Sequence, residues 1–188
     1  EFYVFRSANI KSFWNAAMSV PVNEVLDYNS MLSVTILPTI YSKILNTQGE
    51  WFFKIAYFSF YCLVPLAMYQ MYKREFGKSA AFLSAFYFVL FPRFYLEERR
   101  QIIGELFLVL LIFLILDRNI KPRKKLILLC IFGIALVVSH YSIAYIYLFY
   151  VFLTWFSMTI MGKFWFTKWN LKPRKTITGA FVLFIIIM

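Results

Sequence analysis

Long apolar runs, separated by short clusters of lysine and arginine, dominate the sequence. A membrane-spanning helix needs about 20 mostly apolar residues to cross a hydrocarbon core of about 30 Å. Apolar residues make up 62% of the 188 residues and charged residues only 15%, so a soluble domain of this length has too little interior to bury them. The sequence therefore predicts an all-α polytopic transmembrane helix bundle. It argues against a disordered chain, a disulfide scaffold and an ordinary cytosolic enzyme.

The apolar runs set the expected order of the spans. The run from 126 to 161 has 36 residues, and as one helix it would be about 54 Å long, so the polar break SHYS at 139–142 is expected to divide it. We expect the chain to be an internal piece of a longer protein, because it opens without Met and stops inside an apolar run. The predicted spans are about 51–72, 79–92, 101–117, 125–138, 142–161 and a truncated 176–188.

Alternate loops differ sharply in basic charge. The loops 73–78, 117–125 and 162–175 carry thirteen Lys and Arg, whereas 93–100 and 139–142 carry three. Short basic loops remain in the cytoplasm. We therefore expect a multi-pass plasma-membrane protein with residues 1–50, the 93–100 turn and SHYS outside. The net charge of +11 comes mainly from these basic loops, so it indicates membrane topology, and nucleic-acid binding is not expected.

Residues 1–50 predict an extracytoplasmic loop with two short interfacial helices. The first carries the aromatic residues of EFYVFRSANIKSFWN on one face. The second lies in DYNSMLSVTILPTIYSKIL, where Asp27, Asn29 or Ser30 is expected to cap it and Pro38 to kink or end it.

Polar residues at the outer ends of the spans are the candidate site. Glu105 lies inside a span, where an ionisable group suggests a function; the alternative is a wet Glu paired with a neighbouring Arg. Three guanidiniums of one outer turn suit a phosphate or pyrophosphate, or form internal ion pairs with the glutamates of that turn. They belong to Arg93, Arg99 and Arg100.

The SHYS turn holds the only histidine of the chain, His140, followed by Tyr141. His140 suits donation to a phosphate or a proton shuttle, or the turn only satisfies backbone groups at two helix ends.

Asp27 suits a metal or a sugar hydroxyl, or caps a helix. A zinc site built from one histidine and two cysteines, Cys62 and Cys130, is not expected, and both thiols are predicted to be packed.

The segments DYNSMLSVTILPTIYS, VPLAMYQMYK, RRQIIGELFLVLLIFLIL and VVSHYS resemble an archaeal family of large multi-pass membrane proteins of unknown function, itself similar to the GT-C glycosyltransferases such as oligosaccharyltransferase and protein mannosyltransferase. The resemblance covers about residues 1–160. It implies a polyprenyl-phosphate sugar donor, a protein or glycan acceptor and an active site on the outer face. The sequence does not identify a cofactor, and a divalent metal is the candidate.

The same resemblance implies an essential acidic residue in the first outer loop, for which Glu1 and Asp27 are the candidates in this sequence. Arg93, Arg99, Arg100 and His140, with Glu105 and Tyr141 nearby, would then hold the leaving phosphate. The alternatives are a transporter or flippase of lipid-linked or anionic solutes, and a scaffold without chemistry. A transporter would place its polar residues near the bilayer midplane, whereas here they collect at one face.

Overall fold

The computed structural model describes residues 5–6, 32–47, 49–90, 99–117 and 119–160, with backbone only for Arg99, Arg100, Met158 and Ile160. These residues form helices and connecting turns without a strand, so the predicted all-α class is confirmed for this part of the chain. Apart from Phe5 and Arg6, the first predicted interfacial helix lies outside it, as do the caps Asp27, Asn29 and Ser30 and the span 176–188. The helices are α1 (Ile36–Ile44), α2 (Gly49–Phe76), α3 (Lys78–Leu90), α4 (Arg99–Leu116), α5 (Pro122–Ser139) and α6 (Tyr141–Ile160).

Helix α2 alone among the described helices is long and apolar enough to cross a membrane, judged by its length and composition. Its 28 residues extend about 42 Å. Residues Phe52–Ala56 form a π-helical stretch near its start, and Lys73 and Arg74, expected in a loop, occupy its last turn. The segments Lys78–Leu90, Gln101–Leu116 and Tyr141–Ser157 are shorter apolar helices.

Two tight turns have local causes in the sequence. Gly77 alone separates α2 from α3, and its φ of 86° is a conformation that side-chain-bearing residues rarely adopt. Helix α1 ends where Asn46 takes a φ of 48° and the Thr47 amide donates to the Ser42 carbonyl, which is the Schellman pattern of a helix end. The expectation that Pro38 kinks or ends α1 is wrong. Pro38 lies in the first turn, where its missing amide hydrogen costs nothing.

Helix α4 is the shared packing partner of the other long helices. One face packs against α2, which also packs against α3, and other faces pack against α5 and α6. Two apolar clusters result. The first joins α2, α3 and α4 around Tyr57, Val64 and Ile102, and the second joins α4, α5 and α6 around Leu111 and Leu136. Phe107 of α4 packs against both, so α4 connects the two halves.

The packed helices have a basic end, formed by Arg74, Asp117 and Lys125. The Arg74 guanidinium donates to the Asp117 carboxylate at 2.8 Å and lies over the Phe113 ring. The Lys125 ammonium donates to the carbonyls of Ile115 and Asp117, at the negative end of α4. Lys125, which the sequence places where the basic loop 117–125 meets the span 125–138, is a buried residue of α5 that caps the neighbouring helix.

The outward faces of the helices are apolar. On α6, Tyr145, Phe149 and Tyr150 are each more than half exposed, and α2 and α5 show the same pattern. Cys62, which we expected to be packed, is exposed on α2, while Cys130 is half-buried. Apolar faces of this extent need an apolar partner or surrounding.

Replacing Asp117 with Asn tests the basic end. A backbone hydrogen bond from Asn119 and the bond from Arg74 hold the pKa of the Asp117 carboxyl below its ordinary value. A carboxyl whose pKa is lower in the folded state stabilises that state above its unfolded pKa of about 3.9, and this contribution is lost as the pH falls through the folded pKa. We expect the free energy of unfolding to fall by about 1–3 kcal/mol at neutral pH.

The measurement is thermal unfolding of the parent protein and of Asp117→Asn in detergent, as a function of pH. The difference between the parent and Asp117→Asn should be largest at neutral pH and shrink in acid. Glu50→Gln is the control, because the Glu50–Lys54 pair is exposed and 3.9 Å long. Equal effects of the two substitutions would contradict the structural role of Asp117.

Candidate functional site

The opposite end of the packed helices carries a chain of buried hydroxyl groups. The Tyr57 hydroxyl donates to the Ser33 carbonyl at 2.5 Å, and the Ser33 hydroxyl donates to the Ser139 carbonyl at 3.1 Å. Tyr57 and Arg74, near the two ends of α2, are about 25 Å apart along the helix. We call this region, formed by Ser33, Tyr57, Ser139 and His140, the hydroxyl end. It joins the segment before α1 to α2 and α5, which are distant in sequence.

His140 is the single residue between α5 and α6. Its amide donates to the Leu136 carbonyl and closes α5. Its Nδ1 accepts the Ile143 amide at 3.4 Å, in the position of a side-chain cap on α6. The ring is buried. The capping role, which was the alternative to a functional one, is thus observed. A neutral ring that accepts at Nδ1 carries its proton on Nε2, which remains a donor.

Gly104 brings α4 into contact with this turn. A Cβ on Gly104 would lie 2.9 Å from the His140 Cβ and 2.9 Å from the Ile143 Cδ1. Contacts under 3.0 Å essentially do not occur between such atoms, so only glycine permits this approach. Gly104, the residue directly before Glu105, therefore lies against His140.

Glu105 is half-buried in α4, one turn after Gln101. The Gln101 side-chain amide donates to Glu105 Oε1 at 2.8 Å. Oε2 is buried and has no hydrogen-bond partner among the described residues. A buried carboxylate oxygen without a donor is costly, so this atom is suited to accept a hydrogen bond from a bound molecule. The alternative, a wet Glu105 paired with Arg93, Arg99 or Arg100, involves side chains outside the described residues.

An apolar groove of about 360 Å³ opens beside the hydroxyl end. Segment 32–40, α2, α4 and α5 form its walls, and Ser33 and Ser139 are its polar residues. Its apolar walls include Leu37, Phe60, Ile103, Phe107, Ala135 and Val138. The arrangement is suited to an extended apolar chain whose polar head lies at the hydroxyl end.

The remaining predicted site residues are placed unevenly. Glu1, Asp27 and Arg93 lie outside the described residues, and Arg99 and Arg100 form the start of α4 with their side chains undescribed. Tyr141 is 42% exposed, with its ring centroid 6.1 Å from that of His140. Within the described ranges, no group of three His, Cys, Asp or Glu residues is placed to hold a metal.

Sequence reasoning missed Ser33, Tyr57 and Gly104. A serine, a tyrosine and a glycine in apolar segments are ordinary packing residues, and their roles depend on which helices meet. The glycine before Glu105, inside an apolar helix, was the available signal, because glycine at a helix interior costs about 1 kcal/mol relative to alanine and suggests a close approach.

Gly104→Ala tests the contact between α4 and the His140 turn. The added methyl group meets the His140 Cβ, which cannot rotate away, so we expect a loss of about 1–3 kcal/mol in the free energy of unfolding. Ile143→Val, which removes the other contacting atom, should alone cost about 0.5–1.5 kcal/mol and should rescue Gly104→Ala only in part. Thermal unfolding of the single and double variants measures this. A fully tolerated Gly104→Ala would mean that the helices are farther apart.

No protein-family model, curated protein or solved structure matches the chain. No relative therefore supplies a fold, a reaction or a ligand for the hydroxyl end. The arrangement of groove, hydroxyl end and Glu105 is the basis on which a function can be assigned.

Proposed function

We propose that this chain is part of a multi-pass membrane glycosyltransferase that uses a polyprenyl-phosphate-linked sugar at the outer face of the plasma membrane. The observation that carries the proposal is the groove: its walls are apolar except for Ser33 and Ser139, and Ser139 directly precedes His140, which packs against Gly104. A lipid-linked sugar has the same division, with a long apolar chain and an anionic, hydroxyl-rich head. The isoprenoid chain would occupy the groove and the head would face the hydroxyl end.

The polar residues would then divide the chemistry. Arg93, Arg99 and Arg100, which precede or begin α4, together with the His140 imidazole, would stabilise the negative charge of the leaving phosphate. Glu105 Oε2, which lacks a donor among the described residues, would accept from a sugar hydroxyl. Glu1 or Asp27 would take the proton of the acceptor hydroxyl.

The two ends of the helices support the membrane orientation. Arg74, Lys125 and the cations around them lie at the basic end, and the hydroxyl end lies at the other. The basic end would face the cytoplasm. A transporter would need polar groups along the path between these ends. In that interval the buried hydroxyl of Tyr147, which has no hydrogen-bond partner within the described part of the chain, is the feature that favours this second candidate.

Cysteine labelling tests the orientation. In the full-length protein, with Cys62 and Cys130 replaced by Ser, a cysteine at the exposed position Ser142 should react with an impermeant maleimide applied outside intact cells. A cysteine at Lys121, which is also exposed, should react only after permeabilisation. Labelling of Lys121→Cys alone in intact cells would reverse the orientation and remove the outer site.

A paired substitution on α5 tests the groove. Ala135 lines the groove, whereas the adjacent Ile134 is 49% exposed on the side of α5 that faces away from the other helices. Ala135→Phe should fill the groove and reduce sugar transfer from a polyprenyl-phosphate donor at least about tenfold, since displacing about two buried CH₂ groups is of that order. Ile134→Phe, at equal expression, should retain activity. Equal activity of both would exclude the groove as the site of the donor chain.

The proposed stabilisation of the leaving phosphate is tested by the same sugar-transfer assay. Hydrogen bonds to charged groups contribute roughly 1.5–3 kcal/mol, so Arg99→Ala, Arg100→Ala or His140→Ala should each reduce transfer about tenfold to a hundredfold. Lys172→Ala, in the predicted cytoplasmic loop, is the control. Should all three match the parent at equal expression, the phosphate site is wrong and the transporter or scaffold alternatives gain.

A further inference from the structure

The surface of the basic end carries far more positive than negative charge. Six cationic residues are exposed there, whereas the acidic residues of this end in the described ranges are Glu75 and the buried, paired Asp117. The cations are Lys73, Arg74, Lys78, Lys121, Arg123 and Lys124. Like charges this close repel one another, so an anion bound against this surface would lower the repulsion.

The direction of the helices adds to this positive potential. Helices α3 and α5 both begin at this end, and neither has an acidic residue in its first turn. Helix α5 instead has Lys121 before it, without a side-chain cap, and Arg123 and Lys124 within it. Cations at the positive end of a helix are unfavourable. The last turn of α2, with Lys73 and Arg74, is favourable by the same rule.

A polar recess lies among these charges. It has a volume of about 330 Å³ and is lined by Arg74, Glu75, Leu116 and Asn119. The Arg74 side chain is half-exposed, and its bond to Asp117 uses one of the two terminal nitrogens. A guanidinium has five N–H donors, so Arg74 can hold Asp117 and still donate to a phosphate in the recess.

Large apolar side chains flank the cations. Phe76 is 70% exposed, and Leu126 and Ile127 are 51% and 59% exposed on the first turns of α5. Cations beside exposed apolar groups match the boundary of a bilayer, where headgroups meet acyl chains. A soluble anion would cover the charges and leave these apolar groups in water.

We propose that the basic end binds the headgroups of anionic phospholipids, with a lipid phosphate against Arg74 in the recess and further headgroups against Lys121, Arg123 and Lys124. This goes beyond the glycosyltransferase proposal and shares with it only the membrane setting of the helices. The bound lipids offset the repulsion among the cations and stabilise the contacts of α2, α4 and α5 at this end.

The test uses the full chain in nanodiscs of phosphatidylcholine, with and without phosphatidylglycerol. Thermal unfolding and the number of retained lipids in native mass spectrometry are measured. Phosphatidylglycerol should raise the melting temperature and remain bound, and high salt should weaken both effects. The variant Lys121→Gln/Lys124→Gln should lower the apparent affinity for phosphatidylglycerol about tenfold to thirtyfold.

The matched control removes two exposed lysines elsewhere in the chain. Lys43→Gln/Lys54→Gln, which changes α1 and the start of α2, should respond to phosphatidylglycerol as the parent does. An equal response of the two double variants, or no effect of phosphatidylglycerol on a chain that inserts into neutral nanodiscs, overturns the lipid site alone. A chain that does not insert overturns both this proposal and the membrane enzyme. Soluble glycerol phosphate should not reproduce the effect, and if it does, the ligand is a free phosphate and the lipid assignment is wrong.

Discussion

The close approach of α4 to the His140 turn organises the hydroxyl end. A side chain at Gly104 would occupy the space of the His140 Cβ and the Ile143 Cδ1. Because glycine has no side chain, α4 contacts α5 and α6 where they meet, and Phe107, one turn further, packs against both apolar clusters. The groove also depends on this contact, since α4 and α5 supply facing parts of its wall. Separating them at Gly104 would change the groove and the surroundings of Glu105 together.

Buried polar groups lie at both ends of the packed helices, and the two ends differ in charge. At the basic end, the Asp117 carboxylate accepts from the Arg74 guanidinium, which connects α2 to the end of α4, and from the Asn119 amide. The Lys125 ammonium donates to the Asp117 carbonyl. At the hydroxyl end, serine and tyrosine hydroxyls bond to carbonyls without ion pairs among the described residues. At the basic end the Arg74–Asp117 ion pair and the Lys125 ammonium are thus satisfied within the protein, whereas Glu105 Oε2 near the hydroxyl end has no hydrogen-bond partner among the described residues.

The sequence predicts helices well here because apolar runs and their polar breaks are local signals. The SHYS break lies where α5 ends and α6 begins, and the run before Lys73 lies within α2. What the sequence does not contain is which helices meet. The burial of Lys125 and the exposure of Cys62 both depend on those contacts. The lysine is buried because the end of α4 lies beside it, and the thiol, which was expected to be packed, is exposed because no described helix covers it. Of the candidate site, His140 and Glu105 were predictable from type and position, whereas Ser33, Tyr57 and Gly104 depend on tertiary contacts.

The central claim, that the groove holds the apolar chain of a lipid-linked sugar, is tested most directly by photo-crosslinking. A polyprenyl phosphate with a diazirine in its first isoprene units would be bound to the full-length protein in membranes, irradiated, and the modified residues mapped by mass spectrometry. We expect modification concentrated at the groove, on the stretches 32–40, 103–107 and 135–139, and displaced by unlabelled polyprenyl phosphate. Modification spread over the exposed face of α6, around Tyr145 and Phe149, and insensitive to competitor would contradict the claim.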